Sequence, residues 1–352
     1  MDTIDTISQL LQSSNSQYRL YDIGRKIAKI SKEQFEKIEK NQIPYPTPSQ
    51  GHACMAIVFW QKQSPQPYLW LLKLPLDERG LLNQGARNHF IAIIVEALGS
   101  DLTQEASEHQ ESLLKNNPYL FTPAQYKLAA LNSKIKLELK QPFSEHLSPF
   151  VNYLSTETPW DNWQGVGVQG ISDFVALMNE NDKEASHELL ITALPHLPNE
   201  VLFPLCGALE NEPLPVALLD ALIALLTQHL AIETSGNEDI AQAQQHLLRS
   251  LASNCQHPHV AKLMSLLLQQ QHLSAELLIT LSGRCWLALQ DTSNLMAFFE
   301  HLVSIEDQAL FNSIFKDLVA IPVLRPIVFQ CMRAPERSEA LSKAIGHLFH
   351  PA

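Results

Sequence analysis

The feature that most constrains this chain is a run of apolar helical segments that begins near residue 165. Three segments carry apolar residues at i, i+3, i+4, i+7 and i+8, the period of a helix with one buried face. They are Val260/Leu263/Met264/Leu267/Leu268, Leu295/Phe298/Phe299/Leu302/Val303 and Phe311/Ile314/Phe315/Leu318/Val319. The helix expected at 214–230 is apolar over most of its circumference, so it needs neighbouring helices on more than one side.

Prolines and polar residues separate these segments at intervals typical of helix-pair repeats. The first helices of successive pairs are expected near residues 166, 198, 237, 274, 305 and 335, with spacings in the range of such repeats. We therefore expect an all-α domain of stacked helix pairs, an α-solenoid of HEAT-like type, over residues 156–352. A compact helical bundle is the alternative.

Residues 1–155 are expected to form a small α+β domain, so the protein is mainly α overall. Two short strands are predicted within 18–30, and segments 53–61 and 67–74 are predicted to pair as an antiparallel hairpin across a polar, proline-containing turn. Further helices are expected at 3–13, from Ser31 to about 41, at 78–98 with Asp77 as cap and Gly99 as stop, and from Thr122-Pro123 onward.

Charge is distributed unevenly along the 352 residues, whose formal net charge is −12. Residues 1–155 carry 16 Lys+Arg and 15 Asp+Glu, whereas residues 156–352 carry 9 and 22, which leaves net charges of +1 and −13. An acidic surface repels phosphate backbones. The second half is therefore poorly suited to bind nucleic acid, and its acidity favours a protein partner with a basic surface.

The five cysteines are scattered without a Cys-x-x-Cys pair, which indicates neither a disulfide framework nor a zinc ribbon. The acidic N-terminus does not resemble a secretory signal. No apolar stretch reaches the ~20 residues needed to span a bilayer. We expect a cytoplasmic protein with no membrane association.

Two motifs resemble ligand sites, but their sequence context argues against each of them. Gly165-Val-Gly167-Val-Gln-Gly170 matches the dinucleotide fingerprint, yet the polar-aromatic segment 158–163 precedes it instead of a strand, which favours a hinge. Cys255-Gln-His257-Pro-His259 contains three potential zinc ligands, but the proline is typical of an interhelix turn. We expect no cofactor and no metal.

The most interesting polar cluster is Asp77-Glu78-Arg79, with Asp22 and Arg25 at another predicted turn. Paired acids beside an arginine could form a site for acid–base catalysis or anion binding, so these five are the candidate binding residues. The structural alternative is that Asp77 caps a helix and Glu78 lies in its first turn. No nucleophile or base accompanies them, and no catalytic residue is assigned.

A resemblance to a known family rests on three stretches of the first domain. They are Tyr21-Asp22-Ile23-Gly24-Arg25, Phe59-Trp60, and Trp70-Leu71-Leu72-Lys73-Leu74-Pro75-Leu76-Asp77-Glu78-Arg79-Gly80-Leu81-Leu82. In these stretches the chain resembles a bacterial family catalogued as domain of unknown function 3549 (DUF3549), and the resemblance extends over nearly the whole chain. It implies no activity and no catalytic residues.

Three functional hypotheses follow from these observations. The leading one is a non-enzymatic scaffold or adaptor that binds proteins through an acidic helical-repeat surface. The second is an enzyme or small-ligand-binding protein with a site between the two domains. The third is RNA or ribosome association through the near-neutral first domain, where the basic residues of 25–40 are interleaved with Glu33, Glu36 and Glu39 on a solvated helix.

Overall fold

A computed structural model describes residues 4–61, 67–99, 102, 107–155, 160–180, 183–232 and 237–349. Its contacts group into two compact units. Unit 1 comprises residues 1–123 with 319–325, and unit 2 comprises residues 124–318 with 326–352. The predicted domain boundary at 155/156 lies within unit 2 in this grouping and stays a prediction.

Unit 1 is built on a four-stranded antiparallel sheet of order β2-β1-β3-β4. Its strands are β1 (Ser16–Asp22), β2 (Ala28–Ile30), β3 (His52–Gln61) and β4 (Tyr68–Pro75), and its helices are α1 (Ile7–Ser13), α2 (Lys32–Glu39), α3 (Gln84–Leu98) and α4 (Glu108–Lys115). The predicted β3–β4 hairpin is confirmed, with Ile57 opposite Trp70. Its turn, residues 62–66, lies outside the described residues.

Side chains alternate between the two faces of a strand, and those of one face of this sheet contribute to the hydrophobic core of unit 1. Ile57, Phe59 and Leu72 point into that core, and Trp70 meets Phe90 of α3 edge-to-face at 5.5 Å. The free edge of β4 is covered by residues 119–121. There the Lys73 N–H donates to the Tyr119 carbonyl (2.8 Å) and the Phe121 N–H donates to the Leu71 carbonyl (3.1 Å).

The predicted start of the long helix at residue 78 is wrong. The helix α3 begins at Gln84, and its N-cap is Asn83, whose side chain accepts the Ala86 N–H. Residues 77–81 instead form a turn in which Gly80 has φ +81°, a left-handed conformation that glycine adopts without strain. Asp77 holds this turn by accepting the N–H groups of Arg79 and Leu81.

Unit 2 contains helices α5 to α17, interspersed with short 3₁₀ turns; only the last two residues of α15 and the first residue of α16 are grouped with unit 1. The helices are α5 (Gln125–Glu138), α6 (Leu147–Ser155), α7 (Val168–Leu177), α8 (Lys183–Ala193), α9 (Asn199–Leu209), α10 (Val216–Leu230), α11 (Glu238–Ser250), α12 (Pro258–Leu268), α13 (Ala275–Gly283), α14 (Thr292–Ser304), α15 (Gln308–Ala320), α16 (Arg325–Arg333) and α17 (Glu339–Phe349). The odd-numbered helices from α7 to α17 begin within four residues of the predicted starts. The helix predicted from Thr122-Pro123 begins slightly later, with Ala124 as N-cap and no side-chain cap.

The helices of unit 2 contact one another in serial order. Among the odd-numbered helices, α5 packs on α7, α7 on α9, α9 on α11 and α11 on α13, while α6, α8, α10, α12 and α14 form a second series. Cross-contacts such as α10–α11 join the two series. This is the connectivity of stacked helix pairs, so the fold class expected from the sequence is confirmed.

Asp173 of α7 organises the start of the stack. It is buried, and it accepts hydrogen bonds from the hydroxyls of Ser133 and Ser144 (2.5 Å each), the Ser144 N–H (2.9 Å) and the Gln169 side chain (2.8 Å). Burial alone raises the pKa of the Asp173 carboxyl, but these hydrogen bonds outweigh burial and hold that pKa below its usual value. The charged carboxylate thereby fastens the loop after α5 to α7.

Candidate functional site

Asp22 and Arg25, two of the predicted binding residues, are buried in unit 1 with 2% and 3% of their surface exposed. Asp22 accepts the Thr47 hydroxyl and the Gly24 N–H, and the Arg25 Nε donates to the Pro48 carbonyl at 2.9 Å. These contacts attach the proline-rich segment 44–48 to the β1–β2 turn. The pair therefore has a structural task inside unit 1.

Asp77, Glu78 and Arg79 lie on the exposed turn that precedes α3. Arg79 pairs with Asp77 at 3.3 Å, and the pKa of Asp77 is lowered, chiefly by the hydrogen bond from the Leu81 N–H. The two turns are joined through one segment, because the Tyr45 N–H donates to the Gly80 carbonyl at 2.8 Å. The structure thus attaches both turns to segment 44–48, with one polar pair buried and the other exposed.

Gly170 of the fingerprint-like motif serves helix packing. Residues 163–165 form a 3₁₀ turn, Gly167 is the N-cap of α7, and Gly170 is in its first turn. A Cβ atom on Gly170 would overlap the His146 carbonyl and lie 2.7 Å from its carbon. Part of the predicted linker, residues 158–159, lies outside the described residues. Gly170 is needed for the close approach of two backbones. Within the described residues 160–170, a 3₁₀ turn and not a strand precedes the helix, which differs from the strand-turn-helix arrangement that binds a pyrophosphate.

The cysteine–histidine segment is an interhelix turn, as the proline indicated. His259 pairs with Asp220 at 2.6 Å, and the Cys255 thiol is buried against backbone carbonyls of the preceding turn. Among the described residues, no three His, Cys, Asp or Glu side chains are grouped as metal ligands. All five cysteines are buried free thiols, and burial raises the pKa of Cys206 to about 12, which makes it unreactive.

A charged network that the sequence analysis did not single out joins the ends of three helices in unit 2. Glu210, the C-cap of α9, is completely buried, and its Oε2 lies 2.7 Å from the Arg249 Nε of α11 and 3.7 Å from the Arg284 Nε after α13. The Arg249 guanidinium lies 4.6 Å above the Tyr126 ring, and Arg284 donates to the Tyr126 hydroxyl at 3.3 Å. One carboxylate, two guanidinium groups and one phenol thus form a single cluster.

The positions of these charged residues show that α9, α11 and α13 are parallel to one another. Glu210, Arg249 and Arg284 each lie at the C-terminal end of a helix, and α9, α11 and α13 pack side by side in that order. The three helices therefore run in the same direction. Their N-terminal ends share the opposite edge, about 15 Å away for helices of this length.

That opposite edge is acidic. The second residue of each of the three helices carries a carboxylate, and α11 adds one more at its first residue. We call these four exposed residues the acidic edge; they are Glu200, Glu238, Asp239 and Glu276. Acids in a first turn also stabilise the helix dipole. Within the described part of the chain none of the four is in an ion pair.

Uncharged positions lie between the acidic edge and the Glu210 network. One turn from the acids, the three helices present Phe203, Gln242 and Ile279, and Ile279 is 48% exposed. One turn further they present Gly207, His246 and Gly283. The His246 ring stacks on Phe203 at 4.2 Å, and burial lowers its pKa to about 4, so this imidazole is neutral at pH 7.

The equivalence of these positions is the signal that sequence reasoning could have used. Counted from the predicted starts at 198, 237 and 274, the acids recur at the first or second position. Counted from the same starts, the charged residues of the network lie ten to twelve positions further along the chain; they are Glu210, Arg249 and Arg284. Aligning the predicted repeats would have placed both sets in register, but the sequence similarity between the repeats is too faint to suggest that alignment.

The charge imbalance of residues 156–352 reaches the protein surface. In the described part of this region, fourteen Asp and Glu residues are exposed, compared with five Lys and Arg. Arg249 and Arg284 contribute little to that surface because they are partly buried around Glu210. The exposed surface of the helical stack is therefore strongly acidic.

In the part of the chain that the structure describes, no helix has the length and apolarity to cross a membrane. No curated protein and no solved structure matches the chain. A family model described as "Protein of unknown function (DUF3549)" matches residues 2–349, in agreement with the resemblance seen in the first domain. The chain therefore belongs to the DUF3549 family.

Proposed function

We propose that this protein is a non-enzymatic interaction module whose helical stack binds a basic segment of a partner protein across α9, α11 and α13. The observation that carries the proposal is the acidic edge. Four exposed carboxylates, none in an ion pair within the described residues, are brought to one side by helices that run in the same direction.

The spacing of the acidic edge defines the partner. Packed helices lie about 8–10 Å apart, so successive carboxylates recur at roughly that interval. In an extended segment of the polyproline II type, Lys or Arg at every third residue lies on one face and recurs at about 9 Å, because that conformation has three residues per turn and rises ~3.1 Å per residue. A partner segment with this pattern would place one cation opposite each helix.

The surface beside the edge favours a protein over a free polycation. Phe203 and Ile279 offer apolar contact one turn away from the carboxylates, and Gly283 leaves open space beside them. Apolar side chains interleaved with the basic residues of the partner would be covered there. Charge would speed encounter, and apolar contact would supply the affinity.

The test is affinity capture from a lysate at low salt with three forms of the full chain. These are the wild type, an edge variant (E200Q/D239N/E276Q) and a control variant with the same change in charge at other exposed acids of unit 2 (E184Q/E188Q/E336Q). We expect one partner to be retained by the wild type and the control, lost by the edge variant, and released as salt is raised.

Equal capture by the edge variant would exclude the acidic edge as the binding surface. Recovery of nucleic acid in place of protein would favour the RNA-associated alternative. If the wild type retains no reproducible partner, the interaction-module proposal fails. Circular dichroism of the three forms would establish that the substitutions leave the helices intact.

A further inference from the structure

A cavity of about 200 Å³, open to solvent, lies between the end of α14, the start of α15 and one face of α17. Its apolar lining includes Val303, Phe311 and Ala344. The Gln308 side chain ties α15 to α17 by donating to the Ala344 carbonyl at 3.2 Å. The walls are therefore parts of unit 2 that are held together directly.

Two carboxylates lie on one side of this cavity. Glu306 and Asp307 precede α15, both are exposed, and neither is in an ion pair within the described residues. Asp307 uses Oδ1 to accept the Leu310 N–H at the start of α15. Its second oxygen and the whole Glu306 carboxylate therefore remain available to a ligand.

The cation on the other side is already engaged. Lys343 of α17 pairs with Glu339 at 2.7 Å in a fully solvated i,i+4 arrangement. Such exposed pairs are weak and easily exchanged. The lining nevertheless carries two carboxylates and only one ammonium group, so the rim has an excess of negative charge and favours a positively charged ligand.

The volume limits the size of that ligand. Cavities for drug-sized molecules measure roughly 300–1,000 Å³, whereas an engineered apolar cavity of about 150 Å³ accepts benzene. A ligand of roughly five to seven heavy atoms, close to the size of benzene, matches the present cavity. A short alkyl chain ending in an ammonium group meets both requirements, since its methylenes would lie against Val303 and Ala340 while the ammonium reaches the carboxylates.

We propose that this cavity binds a primary alkylammonium group, supplied either by a lysine side chain of a protein or by a free aliphatic diamine. The site is separate from the acidic edge. The proposal therefore stands or falls independently of the interaction-module function.

The test is calorimetric titration of the full-length protein at low salt with two probes. One is 1,5-diaminopentane, and the other is Nα-acetyl-lysine N-methylamide. We expect saturable binding in the millimolar range, with affinity reduced about fivefold or more in E306Q/D307N and raised in K343Q, which lacks the competing cation. Asn at 307 retains a side-chain acceptor for the helix cap, so the first variant should remain folded.

Two controls distinguish charge-dependent binding from nonspecific hydrophobic binding, and binding in this cavity from binding at the acidic edge. Nα-acetyl-norleucine N-methylamide has the same kind of stem without the ammonium group, so we expect its affinity to be at least tenfold lower. The edge variant E200Q/D239N/E276Q should bind both probes like the wild type. Binding of the lysine probe alone would identify a protein source, and binding of the diamine alone would identify a free amine. No saturable binding of either probe, or equal binding of the norleucine probe, would overturn the proposal.

Discussion

Replacing Gly170 by alanine tests whether the fingerprint-like motif is a packing device. The added Cβ would lie 2.7 Å from the His146 carbonyl carbon and 3.2 Å from its Cβ. Carbon atoms in contact prefer about 3.5–4.0 Å, so α7 and the chain before α6 would have to separate by roughly 1 Å. Backbone cannot rotate away as a flexible side chain does.

The magnitude follows from two opposing contributions. Overpacking of this kind lowers the free energy of unfolding by about 1–3 kcal/mol. Replacing a helical glycine by alanine raises the free energy of unfolding by at most ~1 kcal/mol. We therefore expect G170A to lower the free energy of unfolding by about 1–2 kcal/mol. The matched control is G165A in the same motif, since a Cβ on Gly165 meets nothing within 4 Å and should change stability by no more than about 0.5 kcal/mol.

The assay is urea unfolding of both variants followed by far-ultraviolet circular dichroism. A midpoint for G170A equal to that of G165A would refute the packing argument. A dinucleotide that stabilised the wild type but neither variant would show in addition that the motif binds nucleotide phosphates. Neither result is compatible with a glycine retained only for its close approach to His146.

Three further substitutions probe buried titratable side chains of unit 2. E210Q should lower the free energy of unfolding by about 3 kcal/mol, because it leaves the Arg249 guanidinium partly buried without its carboxylate; thermal unfolding would show this, and an unchanged melting temperature would contradict it. His246 is neutral in the folded protein down to about pH 4 but is protonated below about pH 6.5 when unfolded, so stability falls as pH drops through that window. H246F, which keeps a ring against Phe203, should flatten this part of the pH–stability profile, and equal slopes would exclude the effect. D173N should cost about 2 kcal/mol at pH 7 through lost charge-assisted hydrogen bonds. Because the folded-state pKa of Asp173 is lowered, the wild-type advantage should persist above pH 4 and shrink as pH falls below it, and denaturation at pH 3 and pH 7 would compare the two.

The start of α3 shows where local sequence signals fail. Asp77 followed by Glu78 has the composition of a helix N-terminus, and residues 84–98 do form a helix. Gly80, in a left-handed conformation, turns the chain once more before Asn83 caps that helix. Two competing cap residues six positions apart cannot be ranked from local preference, because the outcome depends on the Tyr45–Gly80 hydrogen bond made across the fold.

The candidate binding residues show a second limit. The sequence identified Asp22 and Arg25 as a charged pair at a turn, but their burial is decided by segment 44–48, which lies more than twenty residues away. The Glu210 network joins Tyr126 and Arg284, which are 158 positions apart in the sequence. Neither arrangement leaves a pattern in any short window of sequence.

By itself the amino-acid sequence identified the most strongly periodic helices, where the helix pairs begin to within four residues, and that the second half is acidic. These properties are local, since periodicity, prolines and caps act within a few residues of one another. The tertiary structure decided which charges meet. It buried Glu210 between two arginines and left the acids of the first turns exposed along one edge. That outcome depends on the direction and packing of whole helices, because a charge interacts through space with neighbours that are distant in the chain.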